Sequence, residues 1–313
     1  MRHSMLHLLL LFPWTHARTY QNVALRGKAT QSHRFEGQHD VFTAAYNAID
    51  GNRESSLPAG SCSQTITQTN PWWRVDLLDS YIITSIIVTN RGDCCAENIN
   101  GAQIHVGNSL QDNGAANPVA GVISDIPAGS SHTLVFVSRV EGRYVTVRLP
   151  GTERTLALCE VEVYGYRSPT GENLALQGKA TQASLFGFGM AYNAIDGNRN
   201  PKWLEASCSQ TDYTYHPWWR VDLRRTHKVF SVKVVNRDLF PQRLNGAEIR
   251  IGDSLDNNGN NNPRCAVITN IPSSAVVEYQ CHGMDGRYVN VLIPGRADYL
   301  TLCEVEVYGS VLD

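Results

Sequence analysis

The sequence predicts an all-β protein built as two tandem jelly-roll β-sandwich domains, and three observations carry that prediction. Short strand signals recur along the chain, with no convincing amphipathic helix longer than about two turns to compete with them. The chain repeats itself, motif by motif and in the same order. At 313 residues it is also long enough for two domains that each bury a core.

The N-terminus comes first. Arg2 and His3 precede the apolar run Met5 to Phe12, and Trp14-Thr15-His16-Ala17 follows with small residues at the −3 and −1 positions. This pattern predicts a secretory signal peptide over 1–17, cut near Ala17, and so a secreted, extracellular mature chain free to form disulfides. The run is too short to span a bilayer, and no later stretch approaches the ~20 apolar residues a span needs, so no membrane insertion is expected. With 27 Lys+Arg against 29 Asp+Glu, the chain has no basic excess for gripping nucleic acid.

The duplication organises the rest. Asn22-Val-Ala-Leu-Arg-Gly-Lys-Ala-Thr-Gln31 returns as Asn173-Leu-Ala-Leu-Gln-Gly-Lys-Ala-Thr-Gln182. Tyr46-Asn-Ala-Ile-Asp-Gly-Asn-Arg53 returns at 192–199, Trp72-Trp-Arg-Val-Asp-Leu77 at 218–223, and Cys159-Glu-Val-Glu-Val-Tyr-Gly165 at 303–309. The segment between Gln31 and Tyr46 is longer than its counterpart, which marks a surface loop of the kind that carries binding sites. A turn-rich stretch, Tyr166-Arg-Ser-Pro-Thr-Gly171, sets the expected domains at 18–166 and 167–313. Within the first, strands are expected over 73–77, 82–89, 102–106, 143–149 and 160–164, which alternate or are β-branched between Gly, Asn, Asp or Pro. Trp72, Trp73, Trp218 and Trp219 precede identical strands and read as core and rim packing.

There are eight cysteines. Four in one domain allow three connectivities, and the duplication narrows them. Cys62 matches Cys208 and Cys159 matches Cys303, so each domain is expected to join that shared pair, leaving Cys94 with Cys95 and Cys265 with Cys281. Adjacent cysteines have Cα atoms about 3.8 Å apart, below the usual disulfide range, so a bond between them strains the peptide. Strain of that kind gathers at functional sites. Two free or intermolecular thiols remain the alternative.

Together these motifs, with Asn90-Arg-Gly-Asp-Cys-Cys95, resemble the F-type lectins, a fucose-binding family typified by eel agglutinin and by the tandem-domain lectins of bony fish. The resemblance covers nearly all of the mature chain, twice. It implies eight strands per jelly roll, a shallow sugar site in the loops at one end and a structural calcium ion beneath each site. The family's sugar motif is a His, an Arg, an Asp two positions on, and a second Arg or Lys. Arg suits this role because its forked, charged donors fit sugar oxygens, at about 1.5–3 kcal/mol net per bond.

In the first repeat Arg91 and Asp93 match, Cys94 and Cys95 would offer an apolar wall, Gln64 stands at the His position and Asn98 at the second Arg position. In the second repeat Arg237 and Arg243 fill both Arg roles beside Asp238, with Gln210 at the His position and no vicinal cysteines. Gln keeps a donor and an acceptor but loses the imidazole's shape and pH sensitivity. The second domain is therefore expected to bind the better. Phe35, His39 and Leu57 in the first domain, and Phe186, Phe188 and Trp203 in the second, lie in loops that would wall the sugar.

The calcium ligands implied are Asn47, Asp50, Asn52, Ser61, Cys159 and Glu160, and in the second repeat Asn193, Asp196, Asn198, Ser207, Cys303 and Glu304. Hard oxygens from an Asp-Gly-Asn turn suit calcium.

The function implied is recognition of terminal L-fucose on microbial or host glycans in innate immunity, with two domains, and homo-oligomers if they form, supplying avidity. The competing reading is a jelly-roll adhesion module whose sugar specificity is altered or lapsed and whose partner is a protein or another glycan. An enzyme is not expected: there is no His-Glu-x-x-His motif, no Gly-x-Ser-x-Gly elbow and no phosphate loop.

Overall fold

The computed structural model describes residues 20–35 and 43–312. The expected signal segment 1–17 and His39 lie outside them. The first domain contains β1 (Lys28–Gln31), β2 (Ser63–Gln64), β3 (Trp72–Thr89), β4 (Gln103–Gly107), β5 (Val119–Val122), β6 (Ser131–Arg148), β7 (Ala157–Leu158) and β8 (Glu160–Arg167). Among the described residues the only helical pieces are 3-10 turns of three to five residues.

The two long strands explain the sandwich. β3 and β6 pair antiparallel from Trp72↔Arg148 to Thr89↔Ser131, with a register break between Asp76 and Tyr81. Before the break β3 is flanked by β1, and β6 by β4 and then β5; after it β3 is flanked by β8. One bent pair thus runs through both layers. The strands expected over 73–77 and 82–89 are one strand, because the polar Asp79-Ser80 between them forms the bend and does not end the pairing. Asp76 holds that bend by accepting from Leu78 N (2.8 Å) and from Arg143 Nε and Nη2 (2.7 and 2.8 Å). Alternation along the strand sends Trp73, Val75 and Leu77 into the core opposite Val161 and Val163. Trp73 is fully buried, and its Nε1 donates to Ala45 O (2.9 Å).

The second domain repeats this plan with β9 (Lys179–Gln182), β10 (Ser209–Gln210), β12 (Trp218–Val235), β13 (Ala247–Gly252), β14 (Arg264–Ile268), β15 (Val276–Leu292), β17 (Thr301–Leu302) and β18 (Glu304–Val311). Where the first domain has the single bridge Gln68↔Arg154, it has a two-stranded ladder, β11 (Thr214–Tyr215) with β16 (Ala297–Asp298). The repeated opening Asn has a structural reason. Asn22 caps the turn Val23–Arg26 through Ala24 N (3.1 Å) and accepts from Val163 N (3.0 Å), tying the start of the domain to its last strand. Asn173 does the same with Ala175 N and Val307 N.

The disulfides join Cys62 to Cys159, Cys208 to Cys303, Cys94 to Cys95 and Cys265 to Cys281. The first two fasten the loop before β2 or β10 to the start of the last strand. Between the domains, Lys228 Nζ reaches Asp285 Oδ1 (2.9 Å) and Gly283 O (3.2 Å) while lying over the rings of Tyr20 and Tyr166 at 5.4 and 5.3 Å.

Candidate functional site

At one end of each sandwich the loop after the long strand meets the short ladder that leads out of the shared disulfide. Buried Asn90 shapes the first of these loops: its amide donates to Ala96 O (2.9 Å) and Ile126 O (2.7 Å), and its Oδ1 accepts from Arg91 N (2.9 Å). Asn236 makes the same three bonds to Pro241 O, Ile271 O and Arg237 N. These asparagines position the arginines, a role the sequence reading did not assign.

In the first domain three of the five N–H donors of Arg91 are engaged by its own neighbours. Its Nη1 donates to Gln64 Oε1 (2.7 Å), and its Nε and Nη2 fork onto Asp93 (2.9 and 2.6 Å). That guanidinium holds the Asp93 carboxyl down at about 2, and Leu57 N adds a further bond at 2.9 Å. Cys94 and Cys95 follow. Cys95 takes the left-handed conformation (φ 58°) and opens the turn Ala96–Ile99, in which Asn98 sits. Phe35 flanks Gln64, donating from N to Gln64 O (3.1 Å). Leu57 is not a wall of this site: it is 5% exposed and packs on Cys62 and Cys159, so what it offers Asp93 is its backbone N–H.

The second domain brings the same positions together differently. Arg237 Nη1 donates to Gln210 Oε1 (2.9 Å), which also accepts from Thr301 Oγ1 (3.1 Å). Asp238 follows Arg237 directly and makes no hydrogen bond to it; its N donates to Pro201 O (2.9 Å). Arg237 is 6% exposed, yet its Nε has no partner, and Asp238 Oδ1 and Trp203 Nε1 are likewise buried and unpaired. Burial, and then the cation of Arg243, lower the Arg237 pKa, with Asp238 acting in the other direction.

Aromatic rings close around these atoms. Arg237 lies 5.7 Å from the Trp203 ring and 5.6 Å from that of Phe240, and Arg243 lies between Phe240 (4.5 Å) and Tyr299 (4.6 Å). Phe188 stacks on Trp203 at 4.4 Å, and Phe186 meets Trp203 and Tyr299 at 5.8 and 5.4 Å. Phe240 has the left-handed conformation of Cys95 (φ 55°) at the head of the matching turn, Pro241–Leu244. An exposed ring thus stands where the first domain has its vicinal disulfide. Tyr299 was missed because no motif marks its loop. The available signal was the exchange of the hydrogen-bonded pair Thr67–Thr155 for the ring pair Tyr213–Tyr299.

Beneath each site lies a buried carboxylate. Glu160 is fully buried; its Oε1 accepts from Gly51 N (3.1 Å), while its Oε2 has no partner. Burial raises its pKa to about 8, and the neighbouring charge of Asp50 adds to the effect. Glu304 repeats this with Gly197 N (3.1 Å), an unpaired Oε2, Asp196 nearby and a pKa also raised to about 8. The turns that bring these groups together require Gly51 (φ 83°) and Gly197 (φ 82°). Asp50 Oδ1 accepts from Asn52 N (2.8 Å), and Asp196 Oδ1 from Asn198 N (2.9 Å).

Asn47 and Asn193 donate to the carbonyls of Cys62 and Cys208 (3.2 Å each), and Ser61 and Ser207 donate back to Ser56 O and Lys202 O. The two carboxylates, one with an orphaned oxygen, sit among neutral oxygens, a set that fits a hard divalent cation such as calcium. Among the described residues no cluster of three or more His, Cys, Asp or Glu is present, so the remaining ligands would be hydroxyl, amide and main-chain oxygens.

Comparison with known proteins agrees with this architecture. Residues 47–147 and 193–291 each match the NedA-like, galactose-binding domain family. Fucolectin of Anguilla anguilla is 52% identical over 145 residues, 46% of this chain and 91% of the relative. Fucolectin-4 of Anguilla japonica is 54% identical over 143 residues, 46% of this chain and 79% of that one. The crystal structure of an F-lectin (fucolectin) from Morone saxatilis (striped bass) serum is 71% identical with a TM-score of 0.90, covering 95% of this chain and 100% of its own. The chain belongs to the F-type lectin (fucolectin) family: it is a carbohydrate-binding lectin and not an enzyme.

Proposed function

We propose that this lectin is secreted, is stabilised by one calcium ion per domain, and binds terminal L-fucose on microbial or host glycans in innate recognition. The observation that carries the sugar reading is the set of buried, unpaired polar atoms at Arg237 Nε, Trp203 Nε1 and Asp238 Oδ1, enclosed by Phe186, Phe188, Phe240 and Tyr299. A buried polar atom left unpaired costs about 1–3 kcal/mol, which a ligand's hydroxyls recover on binding. Sugar hydroxyls both donate and accept, and a methyl group and the apolar face of a pyranose fit against rings. Fucose and secretion are supported by the names of the eel relatives, the serum origin of the striped bass lectin and the expected signal segment 1–17.

In the second domain Arg237 and Trp203 donate to the sugar, Asp238 accepts, and Arg243 supplies a second cation held between two rings. In the first domain Gln64 and Asp93 engage three of the five N–H donors of Arg91, leaving a sugar one each on Nη1 and Nη2, with Cys94 and Cys95 as its apolar wall. The second site is the stronger on this reading.

The calcium would be held by Asp50 and Glu160, or Asp196 and Glu304, with oxygens of the Asn47, Asn52, Ser61 and Cys159 set or the Asn193, Asn198, Ser207 and Cys303 set. When bound it supplies the positive charge that a buried carboxylate lacks. The chain relays that order upward: Asn198 Oδ1 accepts from Asn200 N (3.1 Å), Pro201 O accepts from Asp238 N (2.9 Å), and Trp203 comes next.

A glycan array probed with the full chain tests the proposal. Retention on fucosylated glycans, lost in chelator, is expected. Binding only to unfucosylated mannose or galactose glycans would overturn it, and cell adhesion that survives Arg237→Ala with Arg243→Ala would favour an adhesion module with lapsed sugar specificity.

A further inference from the structure

We infer that the first domain carries a second saccharide cleft, lacking in the second domain, that takes an anionic sugar substituent, a sulfate or a carboxylate. The inference rests on the lectin reading above, since it extends the fucose site along the same pair of segments.

Residues 31–35 run antiparallel to 64–68. Gln31 Nε2 and Phe35 N both donate to Gln64 O (2.8 and 3.1 Å), Ile66 N donates to His33 O (2.9 Å), and Arg34 pairs with Thr65. Gln64 is therefore tied through Gln31 to a cleft of about 520 Å³ that Gln31 lines together with Ser32, His33, Arg34, Gln68 and Trp72. That volume is in the range of small-ligand sites. Gln68 lies four residues beyond Gln64, roughly 13 Å at most along an extended chain. That distance suits a sugar one or two units away from the fucose.

The floor of the cleft is fixed: Gln68 Nε2 donates to Ser32 Oγ (2.6 Å), which also accepts from Trp72 N (3.1 Å). One wall is the half-buried Trp72, itself under the guanidinium of Arg74 at 5.2 Å. Arg34 and His33 are exposed on the lining, Arg34 has no ion-pair partner among the described residues, and no described carboxylate lines the cleft. Among the described residues, a guanidinium without an ion-pair partner stands beside an imidazole and an aromatic wall with no acid facing them, which is complementary to an anionic saccharide.

The second domain has lost this chemistry. Ser184 and Leu185 stand for His33 and Arg34. The segment that lines the cleft as Thr69-Asn70 is there Tyr215-His216, whose rings stack at 4.2 Å.

The test uses the full chain with matched fucosylated trisaccharides that are neutral, sulfated or sialylated, together with L-fucose and a sulfated lactosamine lacking fucose. The expected result is that the sulfated or the sialylated ligand binds roughly 10-fold tighter than the neutral one, the low end for a charge-assisted bond. The preference should shrink with added salt. Arg34→Ala should abolish it while leaving the Kd for L-fucose unchanged. The two anionic arms decide between sulfate and carboxylate.

No preference in the wild type, or a preference that survives Arg34→Ala, overturns the inference. If L-fucose itself fails to bind, the fucose reading falls separately, and the cleft is judged on the unfucosylated sulfated ligand: binding that Arg34→Ala removes supports it, and no binding overturns it.

Discussion

Replacing Glu160 and Glu304 together by Gln should stabilise the protein in chelator and destabilise it in calcium. A carboxyl whose folded pKa is raised contributes its full stability below the unfolded value and loses it as pH climbs through the folded one. Here that window runs from the ordinary 4.5 to about 8. At about 1.4 kcal/mol per tenfold, each fully ionised Glu costs roughly 5 kcal/mol, and at pH 7 about 3 kcal/mol. Gln has the same shape without the charge. For domains of this size the metal-free double variant should melt roughly 5–10 °C above wild type at pH 7, with the gap closing toward pH 4.5. Saturating calcium should reverse the order, because the wild type then has an anionic ligand where the variant has a neutral one. Calorimetric scans from pH 4.5 to 8, with chelator and with calcium, read this out. Identical melting in chelator across that range, or no effect of calcium on wild type, would refute the reasoning.

Other perturbations follow from the same contacts. Gln210→Ala should leave Arg237 Nη1 and Thr301 Oγ1 without their shared acceptor, lowering stability by about 1–3 kcal/mol and weakening sugar binding in the second domain only, as paired melts and titrations would show. Removing the Cys208–Cys303 bridge, which spans 95 residues, should cost nearer 5 kcal/mol, and removing Cys265–Cys281, which spans 16, about 3, measured by denaturant unfolding. Lys228→Ala should loosen the junction at Tyr20 and Tyr166, costing up to about 2 kcal/mol and speeding proteolysis of the linker, with both sugar affinities unchanged.

Much of this architecture was legible because the chain is its own alignment. The duplication paired Cys62 with Cys159 and Cys208 with Cys303 and marked Trp73 and Trp219, whose buried indoles now have a stated partner in Ala45 O or Ala191 O. What escaped has physical reasons. β1, β2, β5 and β7 have two to four residues, too few to show a period of two. The bend at Asp79-Ser80 hides the continuity of β3, since an Asp-Ser pair looks like a strand end.

In the sites, Arg91 and Arg237 were identified by motif, but their opposite states, one forked onto its Asp through Nε and Nη2 and one with a free Nε, depend on whether the following Asp is one residue away or two. Leu57 and Trp203 occupy matching positions, yet only the larger side chain reaches past the disulfide to the arginine. Tyr299 enters from a loop remote in sequence, which only the folded chain brings to Arg243.

The central claim is that the second-domain pocket binds L-fucose through Arg237. Titration calorimetry of L-fucose into the calcium-loaded full chain, wild type beside Arg237→Ala, tests it most directly. The expected result is binding by wild type, with the second-domain component weakened at least roughly 10-fold in the variant. Equal heats from the two proteins, or none from wild type while galactose or mannose binds, would contradict it.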